Sequence, residues 1–119
     1  MILKESKINV ADNCGVFKVK CFHIYQNKKK KHGHVGKFIK VSYRVVAKRL
    51  SRLRGRKSRA FFFKSRYHFI KPDGSNLRFS ENFCVLLKRR LYPRGKISRG
   101  MVLYNLKRFK FMYSFNIII

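Results

Sequence analysis

The sequence predicts a small, mainly β barrel with a short helical segment near its C-terminus. Three features carry that reading. Short runs alternate apolar and basic residues, Gly- and Pro-marked turns separate them, and one late stretch repeats its apolar residues every three to four positions. Strand character begins by about Ile8, and Asp12, Asn13 and Gly15 make a tight turn into the next strand. Phe17 to Cys21 alternates cleanly. Phe22 to Tyr25 then place apolar groups on both faces, which predicts a bulge or a point of burial on both sides where a sheet closes. A basic loop, Gln26 to His34, leads to the clearest strand. There Ile39, Val41, Tyr43 and Val45 face one way and Lys40, Ser42 and Arg44 the other. Residues 48–59 read as a cationic loop around Gly55, and Ala60 to Phe69 as an aromatic-rich strand. In Pro72-Asp73-Gly74-Ser75, proline presets φ and glycine accepts a positive φ, so residues 67–80 are expected to form a projecting hairpin. Cys84 to Leu87 is a short apolar run suited to a core strand. Pro93, Gly95 and Gly100 punctuate a second basic loop. Beyond it Leu103, Leu106, Phe109 or Lys110, Met112 and Tyr113 predict a short helix over 104–113. No repeat or linker divides the chain. It is read as one domain over 1–119, with the barrel at about 1–88 and a C-terminal loop and helix at about 89–119.

Charge narrows the function class. Thirty-one Lys and Arg face four carboxylates, Glu5, Asp12, Asp73 and Glu81, for a formal net charge of +27 on 119 residues. Apolar residues are nonetheless 45% of the chain and aromatics 15%, which excludes a disordered basic tail. The cations are clustered: Lys28 to Lys31, seven within the twelve residues Lys48 to Arg59, and Lys88-Arg89-Arg90. Spread evenly over roughly 6,800 Å² of surface they would sit about 15 Å apart; in runs they repel by about 0.5–1 kcal/mol per pair even in water. A phosphate-rich partner relieves that repulsion. A merely solvated charged surface is the plainer reading, and four acids are too few to sustain it.

Other chemistries find little support. Cys14, Cys21 and Cys84 are an odd count, which favours a reducing compartment over paired disulfides. Cys14 and Cys21 with His23, His32 and His34 invite a zinc reading, but no C-x-x-C is present and Cys21 falls on an apolar strand face. Cys21 and Cys84 are therefore read as small core residues, and His32 and His34 as surface RNA contacts. No metal or other cofactor is expected. The carboxylates are scattered, no phosphate-cradling Gly-rich loop occurs, and Cys14 has no identifiable base, so the chain is not expected to be an enzyme. No run of 18 apolar residues occurs, so no membrane span is expected, and neither is a homo-oligomer. Aromatics interleave with cations at Lys37-Phe38, Tyr43-Arg44, Lys64 to Phe69 and Lys107 to Phe111, where planar guanidinium groups and rings could stack on bases. Phe61 to Phe63 are better read as core. Tyr67 and His68, beside a turn, fit packing and base contact equally.

Several blocks resemble one family. Asn9-Val10-Ala11-Asp12-Asn13-Cys14-Gly15 is similar to the opening signature of the universal large-subunit ribosomal protein fourteen family, which most often has Ser in the sixth position. Val35 to Val41 resembles its second strand. Pro72-Asp73-Gly74-Ser75, Leu77-Arg78-Phe79 and Asn82 to Leu87 resemble its most specific stretch. Gly95, Gly100 and Val102 resemble its late glycine loop, and Lys110-Phe111-Met112 its C-terminal helix. Departures are the higher charge, the Arg-rich 48–59 segment, His68 where relatives carry Gly, bulky Phe at 61–63, and the tail Asn116 to Ile119.

The resemblance implies a closed five-stranded antiparallel barrel, a projecting hairpin and a small C-terminal helical part. It implies a structural constituent of the large ribosomal subunit that packs on large-subunit rRNA and neighbouring ribosomal proteins. On the intersubunit face it contributes a bridge to small-subunit rRNA, and in several systems a ribosomal silencing factor docks there. On that reading Lys28, Lys29, Lys30, Lys31, His32, His34, Arg49, Arg52, Arg54, Arg56, Lys57, Arg59, Arg66 and Lys71 contact rRNA. Lys96, Arg99, Lys107 and Lys110 lie on the bridge and factor-docking surface. The abundance of Phe, Ile, Lys, Asn and Tyr suits an AT-rich genome. The opening Met1 to Glu5 is too short and charged for a leader, so a mitochondrial ribosome supplied by synthesis inside the organelle is expected. The alternative is a free-standing nucleic-acid-compacting or RNA-chaperone protein using the same cations.

Overall fold

The computed structural model describes residues 2–25, 32–88, 92–95, 97–102 and 115–118. The strands are β1 (Lys7–Val10), β2 (Val16–Ile24), β3 (Phe38–Val46), β4 (Lys57–Lys64), β5 (Phe69–Ile70), β6 (Asn76–Leu77), β7 (Phe83–Leu86), β8 (Ser98–Val102) and β9 (Phe115–Ile118). A 3₁₀ helix, Lys48–Leu53, lies between β3 and β4.

Five strands close into a barrel in the order β1-β2-β3-β4-β7. Four of the seams are antiparallel, and the β1–β7 seam is parallel, with Asn9 opposite Phe83 and Val10 opposite Cys84. An odd number of strands cannot alternate direction all the way round a ring, so one parallel seam is a necessity of the count. The expectation of an antiparallel barrel is corrected at that seam alone. Asn9 N–H donates to Asn82 O at 3.2 Å and Ala11 N–H to Cys84 O at 3.1 Å. The Asn9 side-chain amide adds a hydrogen bond to the Glu81 carboxylate.

Period-two alternation fills the barrel. Ile8, Val19, Cys21, Ile24, Ile39, Val41, Tyr43, Ala60, Phe62, Cys84 and Leu86 form one buried cluster. Small side chains (Ala60, Cys21, Cys84) offset large ones (Tyr43, Phe62), which lets a narrow barrel close without voids. The register shifts between Cys21 and His23, so Ile24 points inward again while His23 is exposed. This is the bulge expected within residues 22–25.

The three consecutive phenylalanines are all core, but in two different cores. Phe62 lies inside the barrel; Phe61 and Phe63 join Ala11, Val85 and Leu87 in a second cluster outside it, with Phe38 and Phe83 packed alongside. Burying each ring contributes about 1.5–3 kcal/mol. A second bulge, between Phe62 and Lys64, turns Lys64 onto the same side as the outer rings. Its ammonium lies 5.0 Å from the Phe83 ring centroid, 5.3 Å from Phe79 and 5.5 Å from Phe63. Burial pulls its pKa below the usual lysine value.

The segment expected as a cationic loop is half structured. Leu50, at a kink in the 3₁₀ segment, and Leu53 are its half-buried apolar residues, and Leu53 packs on the barrel core. Gly55, at φ 81°, turns the chain back. Its N–H donates to Tyr43 O at 2.8 Å, and Tyr43 N–H donates to Arg56 O at 2.9 Å. Strand β4 therefore starts at Lys57 and ends at Lys64 rather than spanning 60–69, because the bulge and Ser65 end the pairing there.

The projecting hairpin is β5–β6, with Phe69 opposite Leu77. Asp73 Oδ1 accepts from Ser75 N–H at 3.0 Å and from Ser75 Oγ at 2.7 Å, and these bonds hold its carboxyl below the usual range. The expected helix over 104–113 lies outside the described residues. Beyond it the tail forms a strand: β9 pairs in parallel with β8, Met101 opposite Ile117 and Val102 opposite Ile118. Among the described residues no helix is long and apolar enough to cross a membrane.

A strap from Tyr92 to Ile97 ties the C-terminal part to the first turn. Asn13 N–H donates to Ile97 O at 3.2 Å and Gly95 N–H to Asp12 Oδ2 at 3.3 Å. Cys14 Sγ donates to Asp12 Oδ1 at 2.9 Å. Burial raises the Asp12 pKa, and burial together with Asp12 pushes the Cys14 thiol up to about 12.

Gly95 has no room for a side chain: a Cβ would lie 2.6 Å from Asn13 Oδ1 and 2.8 Å from Asp12 Cβ. Gly74 has open space but sits at φ 90°. Gly95→Ala is expected to cost about 1–3 kcal/mol through overpacking, and Gly74→Ala about 1–2 kcal/mol through backbone strain. Asn, which tolerates positive φ, recovers most of the loss at 74 and none at 95; urea denaturation midpoints check both. In the native chain at pH 8, iodoacetamide should leave Cys14 unmodified while an ordinary thiol of pKa about 8.5 reacts fully; rapid labelling would contradict the Asp12–Cys14 geometry.

Candidate nucleic-acid interface

Alternation that sends apolar side chains into the barrel sends cations out, and the strand registers line them up. One row runs Lys7, Lys20, Ser42, Lys57 across β1, β2, β3 and β4. A second runs His23, Lys40, Arg59 across β2, β3 and β4. Neighbouring strands lie about 4.8 Å apart, and like charges directly opposite one another destabilise a sheet. Aromatic rings partly support the rows: Lys57 Nζ lies 5.5 Å from the Phe22 ring centroid and the Arg59 guanidinium 5.8 Å from Tyr25. The Tyr25 ring in turn stands edge-on to His23 at 4.7 Å.

Only one of the protein's four acids meets the wall. Glu5 pairs with Lys20, the one salt bridge among the described residues, and that pairing lowers its pKa. Asp12 is buried on Cys14 and Gly95, Asp73 holds its turn, and Glu81 is bonded to Asn9 at the seam. The wall therefore carries its charge with almost no internal neutralisation.

The residues expected to contact rRNA fall into two groups. Arg49 and Arg52 on the 3₁₀ helix, Arg54 and Arg56 in the turn after it, and Lys57 and Arg59 on β4 are all exposed and contiguous with the wall. His32 and His34 are also exposed, on either side of Gly33, whose N–H donates to Ile2 O at 2.7 Å. They leave the barrel at the opposite end of β3, about 30 Å from the 3₁₀ helix by strand length, and the wall bridges the two. Arg66 is exposed beyond the far end of β4 and Lys71 is half-buried in the hairpin turn, so neither joins the wall. Lys28, Lys29, Lys30, Lys31, Lys96, Lys107 and Lys110 lie outside the described residues. Arg99 lies on β8.

The loop-centred expectation missed Lys7, Lys20 and Lys40. Their signal was present in the alternation, which set Lys40 and Arg44 opposite the apolar face; what it lacked was register. Among the interleaved aromatics, Tyr43 is fully buried and Phe38 packs on Phe61 at 5.5 Å, so both serve packing. Tyr67 is 58% exposed and His68 exposed, so these rings face outward. Among the described residues no three His, Cys, Asp or Glu side chains gather to hold a metal. Cys14, held protonated, is no nucleophile.

A closed barrel, a cationic outer wall and a contact of the late glycine loop with the Asn9–Gly15 turn together define the chain's architecture. The family model described as ribosomal protein L14p/L23e matches residues 1–117. A relative from Tetrahymena pyriformis, the large ribosomal subunit protein uL14m, is 36% identical over 115 residues, covering 97% of each chain. Fold, signature segments and full-length similarity agree, and the chain belongs to the ribosomal protein L14p/L23e family.

Proposed function

We propose that this protein is a structural constituent of the large subunit of a mitochondrial ribosome. It binds large-subunit rRNA through the β1–β4 wall and the adjoining Arg49–Arg59 segment. The observation that carries this is the in-register cation rows, of which only Lys20 has an acid partner, Glu5, among the described residues, the other three carboxylates being engaged away from the wall. The mechanism is electrostatic and steric: a rigid barrel presents cations at fixed spacing to phosphates of folded RNA, with shape and 2′-hydroxyl contacts outweighing base reading. The mitochondrial assignment follows the Tetrahymena relative's name, and the abundance of Phe, Ile, Lys, Asn and Tyr, residues that an AT-rich genome encodes, supports synthesis within the organelle. Neighbouring ribosomal proteins cover part of the remaining surface. Lys96, Arg99, Lys107 and Lys110 form the bridge to small-subunit rRNA and the docking face for a silencing factor. The role is non-catalytic.

Reversing Arg52, Arg54 and Arg56 to Glu should leave the barrel folded, because all three are exposed. It should deplete the protein from large subunits in high-salt sucrose gradients; full retention would contradict the placement of rRNA on this segment. The pair Lys96→Glu and Lys110→Glu should leave rRNA binding intact while lowering the fraction of joined ribosomes at limiting magnesium. Unchanged joining would remove these residues from the bridge. Comigration of the wild-type chain with DNA instead of large subunits would favour the free-standing compaction reading.

A further inference from the structure

Beside the wall lies a pocket of about 310 Å³ lined by Lys57, Ser58, Arg59, Leu87, Lys88 and Arg94. Four of its six lining residues are cationic and none is acidic. Its frame is built from three segments and locked by backbone hydrogen bonds. Leu87 N–H donates to Arg59 O at 3.0 Å, Arg94 N–H to Leu86 O at 2.8 Å, and Lys88 N–H to Tyr92 O at 2.7 Å. Leu87 also bridges to Pro93. The pocket is thus set into the fold and does not arise from the chance approach of flexible lysines.

One of its lining residues carries an unsatisfied donor. Arg94 Nε is buried and has no hydrogen-bond partner among the described residues. A guanidinium stays charged at any accessible pH, and a buried donor left without an acceptor keeps its desolvation cost uncompensated. The nearby acid, Asp12, already accepts from Cys14 and Gly95. What would satisfy Arg94 is an anion with several acceptor oxygens, small enough to enter and doubly useful to a planar fork. A phosphate has that chemistry.

We propose that this pocket seats one phosphate group of the rRNA backbone, held by Arg94 with Lys57, Arg59 and Lys88. The proposal rests on the rRNA-binding reading and deepens it. Lys57 and Arg59 belong both to the wall rows and to the pocket, so a strand lying along the wall reaches the pocket without leaving the protein surface. The wall neutralises phosphates at its surface; the pocket fixes the register of the strand by taking one phosphate inside.

The test compares charge-conserving variants of the full chain in binding to large-subunit rRNA at fixed salt. Arg94→Lys keeps the charge and loses the fork; it should weaken binding about tenfold, as expected for losing a charge-assisted hydrogen bond of about 1.5 kcal/mol. Arg78→Lys, an exposed position outside the pocket and wall, should bind as wild type. Equal affinity of the two variants would overturn the pocket. Should Arg94→Lys fail to fold, Lys88→Gln, an exposed position, replaces it and is compared with Lys4→Gln, exposed and outside the pocket and wall. A greater loss for Lys88→Gln supports the pocket, and equal losses overturn it. Titration with tripolyphosphate separates the sources of phosphate. Weak, millimolar competition with rRNA supports a backbone site. Micromolar tripolyphosphate binding combined with Arg94-independent rRNA binding would make it a site for free polyphosphate and overturn the proposal. Failure of the wild-type chain to bind rRNA at all would instead count against the underlying functional reading.

Discussion

Positive charge that the protein cannot neutralise from within governs this structure. Each of the four acids is occupied locally, Glu5 on Lys20, Asp12 in the strap, Asp73 in the hairpin turn and Glu81 at the seam. Only Glu5 touches the rows in which lysines and arginines face one another across neighbouring strands, and it offsets Lys20 alone. Such rows weaken a sheet by amounts that are small per pair and large in sum, against a total stability of only about 5–15 kcal/mol for a typical domain. The free protein tolerates them because the barrel interior and a second apolar cluster outside it hold the strands in place.

Closure converts that tolerance into function. A barrel has no slack edge, so the outward cations keep their register. The seam that completes the ring is its shortest contact, a parallel match between two four-residue strands. The chain reinforces the seam from outside, where the strap from Tyr92 to Ile97 engages the turn after β1 and the residues just beyond β7. The segments that resemble the family signature, Asn9 to Gly15 and the loop at Gly95, therefore meet in space. Their shared purpose is structural, holding the ends of the barrel and framing the pocket at Arg94.

Much of this was legible in the sequence where side-chain period decides the outcome. β2, β3 and β7, the hairpin turn at Pro72 to Ser75, and the burial of Cys21, Cys84 and Phe61 to Phe63 follow from alternation and turn chemistry alone. Residues 48–59 were harder, because a Leu50–Leu53 pair among seven cations gives too little apolar signal to reveal a 3₁₀ helix and an early start to β4. The pairing of β8 with β9 joins segments far apart in sequence, and a parallel partner leaves no local hairpin mark. The cationic site was legible as a charge but not as a surface. Lys7, Lys20 and Lys40 become one feature only through strand register, and Arg94 becomes notable only when burial leaves its Nε without an acceptor.

The dependence of rRNA affinity on salt tests the central claim most directly, because each phosphate neutralised releases condensed counterions. Five strand cations (Lys7, Lys20, Lys40, Lys57, Arg59) and four on the adjoining segment (Arg49, Arg52, Arg54, Arg56) are available. Engaging them together predicts that log K falls against log salt with a slope of about −6 to −8. A slope shallower than about −2 would mean that the wall does not meet the RNA backbone, and the account of why this protein carries its charge would fail.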